Sequence, residues 1–161
     1  MKKFSVLFVC MGNICRSPTA HCVFKSKLMD AGLAHLVKVD SAGTHNYHPG
    51  SPPDTSSQAH AAKRGYDLTD LRARQITNRD FADHDLILVM DWDNLAVVQE
   101  ECPPEHIVKV RRLTEFCLAH DRPVVPDPYH GGAKGFDQVL DLVEDACEGL
   151  LQHLKRKGVT A

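Results

Sequence analysis

Residues 4 to 18 read Phe4-Ser5-Val6-Leu7-Phe8-Val9-Cys10-Met11-Gly12-Asn13-Ile14-Cys15-Arg16-Ser17-Pro18. The first six form a nearly continuous apolar run rich in β-formers, the pattern of a strand buried on both faces. Gly12 and Asn13 interrupt it. Pro18 then stands where a helix begins, because its fixed φ and missing N–H suit the first turn. Ala20, Val23, Phe24 and Leu28 follow at helical spacing, and Gly32 ends the helix. A buried strand, a tight loop and a helix in succession open a parallel α/β sheet, in which ligands bind beyond the carboxyl ends of the strands.

The rest of the chain continues the alternation. Leu36 to Val39 reads as a second strand ending in Asp40-Ser41-Ala42-Gly43, and residues 44 to 54 as a loop. A helix is expected from about Pro53 to Arg64, capped by Gly65. Asp85 to Met90 reads as a third strand, with a short helix after it through Asn94, Val97 and Val98. Ile107 to Leu113 reads as a fourth strand, followed by a helical piece around Phe116 to His120. Asp121 to Lys134 holds three prolines and two consecutive glycines and reads as a surface loop. In the last helix, Phe136, Val139, Leu140, Val143, Cys147, Leu150, Leu151 and Leu154 share one apolar face, and Lys155, Arg156 and Lys157 follow at its carboxyl end. The expectation is a single three-layer α/β domain over residues 1–161. It has a central four-stranded parallel sheet, helices on both faces and a phosphate-binding loop after strand one.

Bulk properties narrow the function. The chain has 161 residues, 43% hydrophobic and 25% charged, and a net charge of −2. Such a balance gives no overall field to draw in nucleic acid or a membrane surface, so neither is an expected partner. No segment has the roughly 18 apolar residues of a membrane span, and the start Met1-Lys2-Lys3 leads into an apolar run at the short end for a signal peptide, with no small-x-small cleavage site after it. A cytoplasmic protein is expected, monomeric or weakly dimeric. Six cysteines (10, 15, 22, 102, 117 and 147) are too few for a disulfide framework here. Cys117 and Cys147 read as small buried hydrophobes. Ten histidines raise the question of a metal, yet neither His-Glu-x-x-His nor a paired Cys-x-x-Cys occurs. No metal or cofactor is expected, and His45 and His48 read as solvated loop residues. Gly-x4-Gly-Lys-[Ser/Thr] is missing, which argues against nucleotide hydrolysis.

The segment from Cys10 to Ser17 joins three things that a phosphate-transfer site needs. Backbone N–H groups at a helix N-terminus offer donors and a positive dipole end to an anion. Gly12 permits a close backbone approach, and Asn13 tolerates the left-handed region. Arg16 adds a planar fork for two phosphate oxygens. Cys10 stands at the floor of that cradle. A cysteine nucleophile works as the thiolate, which burial disfavours and which loop amides, a helix end and a hydroxyl such as Ser17 favour.

The string Cys-x-Gly-Asn-x-Cys-Arg-Ser-Pro at 10 to 18 closely resembles that of the low-molecular-weight protein tyrosine phosphatases. The resemblance extends in order through Asp40-Ser41-Ala42-Gly43, Gly50-Ser51-Pro52-Pro53-Asp54, Ala73-Arg74-Gln75-Ile76, Met90-Asp91 and Asp127-Pro128-Tyr129. It implies that Cys10 attacks phosphorus to form a phosphocysteine and that Arg16 binds the equatorial oxygens. Asp127 would protonate the leaving phenol and then activate water. Met11, Gly12, Asn13, Ile14, Cys15 and Ser17 would line the phosphate site. Asn13, Ser17 and Ser41 would hold the loop, and Ser17 would also support the thiolate. Tyr47 and Tyr129 would be the aromatic walls around the substrate ring. The implied substrates are tyrosine-phosphorylated proteins, phosphoserine being too short to reach the sulfur.

Two rival enzymes share the pattern. A thioredoxin-coupled arsenate reductase needs two further cysteines in a mid-chain loop, where only Cys102 is found between Cys22 and Cys117. A protein arginine phosphatase tends to carry threonine where Ile14 stands, and an apolar Ile14 suits an aromatic ring better. A third rival, a catalytically idle phosphate-binding module, is expected to lose the nucleophile or the acid, and Cys10, Arg16 and Asp127 are all kept. Two departures from the family pattern stand out: His130 replaces the second of two tyrosines, and Arg64 stands where several members have histidine. Cys15 lies five residues from Cys10 in one curled loop and is the expected partner in a disulfide formed on oxidation.

Overall fold

A computed structural model describes residues 2–160, the side chain of His130 excepted. The apolar run that opens the chain becomes β1 (Phe4–Cys10), paired in parallel on both sides with β2 (Val37–Gly43) and β3 (Leu86–Val89). A short β4 (Val110–Arg112) closes the far edge, giving the order β2-β1-β3-β4. Alternate residues of β1 serve two cores. Val6, Phe8 and Cys10 pack with α1 (Arg16–Asp30) and α5 (Gly132–Arg156). Leu7 and Val9 pack with Phe81 of α3 (Asn78–Asp83) and Val98 of α4 (Trp92–Glu101). Three layers result, as the doubly apolar run of β1 requires.

The chain runs from β1 outward to β2 and then crosses back to β3. The reversal of strand order therefore falls at the carboxyl ends of β1 and β3, where an open parallel sheet leaves a crevice. Cys10 ends β1, and Met90-Asp91 follow β3 directly.

The helix expected from Pro53 is α2 (Thr55–Lys63), with Asp54 as its N-cap accepting from the Ser57 N–H at 2.9 Å. The apolar face expected of the last helix is buried throughout, and that helix begins at Gly132, inside the segment read as a surface loop. Three local readings need correcting. The second strand continues through Gly43, because Asp40 to Gly43 pair with β1. Pro104–Lys109 form a 3₁₀ helix ahead of a strand of only three residues, since Pro103-Pro104 fix helical φ and Val108 is 81% exposed. The 3₁₀ turn after β4 is Leu113–Phe116, and residues 118–120 are instead loop backbone whose N–H groups donate to Asp145. The short α3 went unread from the sequence, although Thr77 and Asp80 form a capping box there.

Candidate active site

The loop between β1 and α1 is turned so that its carbonyls face outward. The Thr44, His45 and Asp54 N–H groups donate to the carbonyls of Cys10, Met11 and Ile14. Among the described residues, no backbone N–H from Gly12 to Ser17 donates to a protein acceptor. These donors, two of them at the amino end of α1, form the anion cradle expected from the sequence.

Asn13 makes the turn possible. Its φ of 56° lies in the left-handed region, where asparagine is among the few side chains readily accepted. Its amide then locks the loop in two directions: Oδ1 accepts from the Arg74 N–H at 3.0 Å, and Nδ2 donates to Ser17 Oγ at 2.8 Å. Gly43 makes room behind it, because a Cβ there would stand 2.7 Å from the Met11 carbonyl oxygen.

The Ser17 hydroxyl lies 3.1 Å from Cys10 Sγ. Since Asn13 already donates to that oxygen, the single hydroxyl hydrogen is free to point at sulfur, the Ala42 carbonyl being farther at 3.5 Å. The hydroxyl thus offers the sulfur a hydrogen-bond donor. Ser41 bonds to His21 Nδ1 of α1 at 3.1 Å, so it steadies the loop through the helix and not by a bond of its own to the loop. Burial, only partly offset by Asp40, lowers the His21 pKa to about 4, so this imidazole is neutral at pH 7.

Arg16 is buried, and its Nη1 donates to Asp91 Oδ2 at 2.7 Å and to the Val125 carbonyl at 2.9 Å. Burial alone would weaken its charge, but the neighbouring Cys10 and Asp91 more than restore it. Nε and Nη2 have no protein acceptor among the described residues, and together they form the edge of the fork that can take two phosphate oxygens.

Cys10, Met11, Gly12, Ile14, Cys15, Arg16, Tyr47, His48, Asp127 and Tyr129 line one cleft. Asn13 and Ser17 lie behind its floor and Ser41 farther back, so these three support the loop and do not line the cleft. Tyr47 is exposed at the mouth and stacks on His45, with ring centroids 4.9 Å apart. Tyr129 stands on the other wall, its hydroxyl donating to Asp54 Oδ1 at 2.9 Å. Asp127 caps a 3₁₀ turn through the Tyr129 N–H at 3.0 Å. The Cys15 thiol receives a hydrogen bond from Ser57 at 2.9 Å, yet burial, with Cys10 and Asp54 nearby, pushes its pKa up to about 12. It is a neutral thiol beside Cys10, and both cysteines are free.

The model of the family described as low molecular weight phosphotyrosine protein phosphatase matches residues 5–160. The chain belongs to this family. It is 42% identical over 157 residues to a low molecular weight protein-tyrosine-phosphatase of Streptomyces coelicolor, covering 96% of this chain and 95% of that one. To the human low molecular weight phosphotyrosine protein phosphatase it is 36% identical over 151 residues, 92% of this chain and 94% of that one. The crystal structure of a protein tyrosine phosphatase from Entamoeba histolytica with Hepes in the active site superposes with a TM-score of 0.94, at 38% identity and with 97% and 99% of the two chains covered.

Against that family, the departure at Arg64 has a structural outcome. Its guanidinium turns away from the loop to pair with Asp141 at 2.9 Å and with Glu144, both on α5. The His130 side chain lies outside the described part of the molecule. The sequence reading gave Asp91, His48 and Val125 no role in the cleft. Asp91 had a signal, since an acidic residue just past the carboxyl end of β3 lies beside the end of β1 that carries Cys10. The Val125 carbonyl had none.

Proposed function

We propose that this phosphatase hydrolyses phosphotyrosine in proteins, with Cys10 as nucleophile, Arg16 as the binder of the transferring phosphoryl group and Asp127 as acid and then base. The reading is supported most by one arrangement: a sulfur supported by Ser17, a half-free Arg16 fork and the Asp127 carboxyl in one cleft. The phosphoryl oxygens lie on the loop N–H groups and on Nε and Nη2 of Arg16. The Cys10 thiolate attacks phosphorus, the bond to the tyrosine oxygen breaks, and Asp127 gives that oxygen its proton. Asp127, now ionised, takes a proton from water as the water attacks phosphorus, releasing inorganic phosphate and the thiolate. The positive fork and the amides stabilise the negative charge in both steps. Tyr47 and Tyr129 flank the ring, and Ile14 gives it an apolar contact.

The same reading makes residues 1–161 one catalytic domain, acting as a monomer or weak dimer in the cytoplasm, where free thiols such as these persist. Among the described residues no helix is long and apolar enough to cross a bilayer. Turnover of three matched peptides tests the substrate class. Hydrolysis of the phosphotyrosine peptide is expected, with the phosphoserine and phosphoarginine peptides left untouched; a preference for phosphoarginine overturns the reading.

A further inference from the structure

Trp92 is the chain's only tryptophan, and 54% of it is exposed. It is the first residue of α4, directly after the Asp91 that holds Arg16. Over its ring lies the Arg112 guanidinium, 4.2 Å from the centroid, at the carboxyl end of β4. The stacked pair thus stands on the same edge of the sheet as the cleft.

Arg112 is fixed but not neutralised. Its Nη1 donates to the Pro123 carbonyl at 2.7 Å and approaches Thr114 Oγ1 at 3.5 Å. Its neighbour Arg111 pairs with Glu115, whereas no carboxylate among the described residues pairs with the Arg112 guanidinium. Pro123 and Val125 connect the two arginines of this edge, because the Val125 carbonyl binds Arg16. Two residues of chain span at most about 7 Å. A second guanidinium is therefore suspended within a few residues' reach of the one that faces the phosphoryl group. Other charges nearby are Asp93 on the first turn of α4, and Asp121 and Arg122 at the start of the strap, all exposed. On the opposite flank, α5 carries Asp137, Asp141 and Glu144 around Arg64, a surface that repels acid.

We infer that Trp92 and Arg112 form a secondary subsite that takes the carboxylate of an aspartate or glutamate two or three residues from the phosphotyrosine. The inference rests on the phosphotyrosine reading above. The guanidinium supplies an ion pair already held in place by the indole and by Pro123, and the indole face packs the stem of the acidic side chain.

Cys10→Ser protein tests this by binding alone. Fluorescein-labelled phosphotyrosine peptides, with glutamates on either side or with glutamines in their place, are titrated and followed by anisotropy. The acidic peptide is expected to bind about two- to fivefold tighter, the range of an exposed but well-oriented ion pair. The gain is expected to disappear in Cys10→Ser/Arg112→Gln and in 0.5 M salt, and to reverse in Cys10→Ser/Arg112→Glu. Trp92 emission, the sole tryptophan signal, is expected to shift more with the acidic peptide. Equal affinity of the two peptides, or a gain that survives Arg112→Gln, overturns the subsite. Should Arg112→Gln lose its native circular dichroism, Cys10→Ser/Trp92→Leu replaces it, and an undiminished gain there counts equally against the inference. Hydrolysis of p-nitrophenyl phosphate by the unmodified chain is read separately: its absence removes the phosphatase reading, while the peptide comparison still decides the subsite.

Discussion

The two halves of the cleft are built in opposite ways. The half that carries Cys10 is buried and cross-braced: Asn13 bonds to Ser17 and Arg74, Ser17 to Cys10, Arg16 to Asp91 and Val125. The half that carries Asp127 is a strap of backbone between β4 and α5, half-exposed and pinned at separate points along its length. Val125 N–H donates to the Met90 carbonyl, and the Tyr129 hydroxyl holds Asp54. Farther back, the N–H groups of Leu118, Ala119 and His120 converge on Asp145. Phosphate recognition needs fixed donors. Proton transfer to leaving groups of different size needs a carboxyl that can move. The difference suggests that substitutions in the first half break the reaction outright, whereas those in the second change how it depends on the substrate.

Cys10→Ser is expected to give the largest effect: loss of turnover to background on any aryl phosphate, with thermal unfolding close to that of the parent. A hydroxyl does not ionise near neutral pH and cannot replace the thiolate. Appreciable hydrolysis by the folded variant would end the covalent mechanism and the contrast with it. Asp127→Asn should cost roughly 100- to 10,000-fold on phenyl phosphate and far less on a highly activated ester in single-turnover assays of the first step. An equal loss on both would remove the distinction between the halves.

Cys15 sharpens the picture of the first half. It stays a neutral thiol because of burial, so peroxide should oxidise Cys10 first. The resulting sulfenic acid is then expected to lose water to the Cys15 thiol, giving a 10–15 disulfide that a thiol reductant reverses. Mass spectrometry should find the linked peptide, and activity should return in the parent but not in Cys15→Ser. Equal recovery in both would leave Cys15 a packing residue only.

The smallest effect is one of pH. In the folded protein the His21 pKa is lowered to about 4, so as pH falls below its ordinary 6.5 the unfolded chain takes up a proton that the folded one refuses. Stability on this account falls between pH 6.5 and about 4. Asp145 behaves differently. Burial opposes its charge, but hydrogen bonds from His120 and the loop N–H groups outweigh it and lower its pKa to about 2. Its contribution is intact above the ordinary 3.8 and is lost only as pH falls toward about 2. Urea titrations of parent and His21→Gln should therefore differ in slope between pH 6.5 and 4. Parallel curves would mean that the brace behind the loop does not titrate.

How much of this was legible beforehand depends on how local the cause is. Strand, loop and helix from Phe4 to Asp30 were readable because unbroken apolarity, Asn13 and Pro18 each act on their immediate neighbours. The same holds for α5, whose apolar stripe repeats over its length. Ile107 and Val108 misled, because an apolar run reads as a strand unless one knows that the Pro103-Pro104 bend leaves it in water. Asn13 was identified as a left-handed residue, but its acceptor role toward Arg74 is settled by a chain segment 61 residues away. Asp91 and Val125 reach Arg16 across long stretches of chain, and nothing in the surroundings of Val125 says so.

That last point bears on how the protein comes into being. Arg16 meets Asp91 across 75 residues and Val125 across 109. Closing loops of that length costs chain entropy before any contact rewards it, which makes such pairings late and slow. A nascent chain whose strap has not yet emerged from the ribosome already holds the entire Cys10–Ser17 string, yet cannot finish the Arg16 fork. Competence should therefore lag behind helix content when the chain refolds from denaturant.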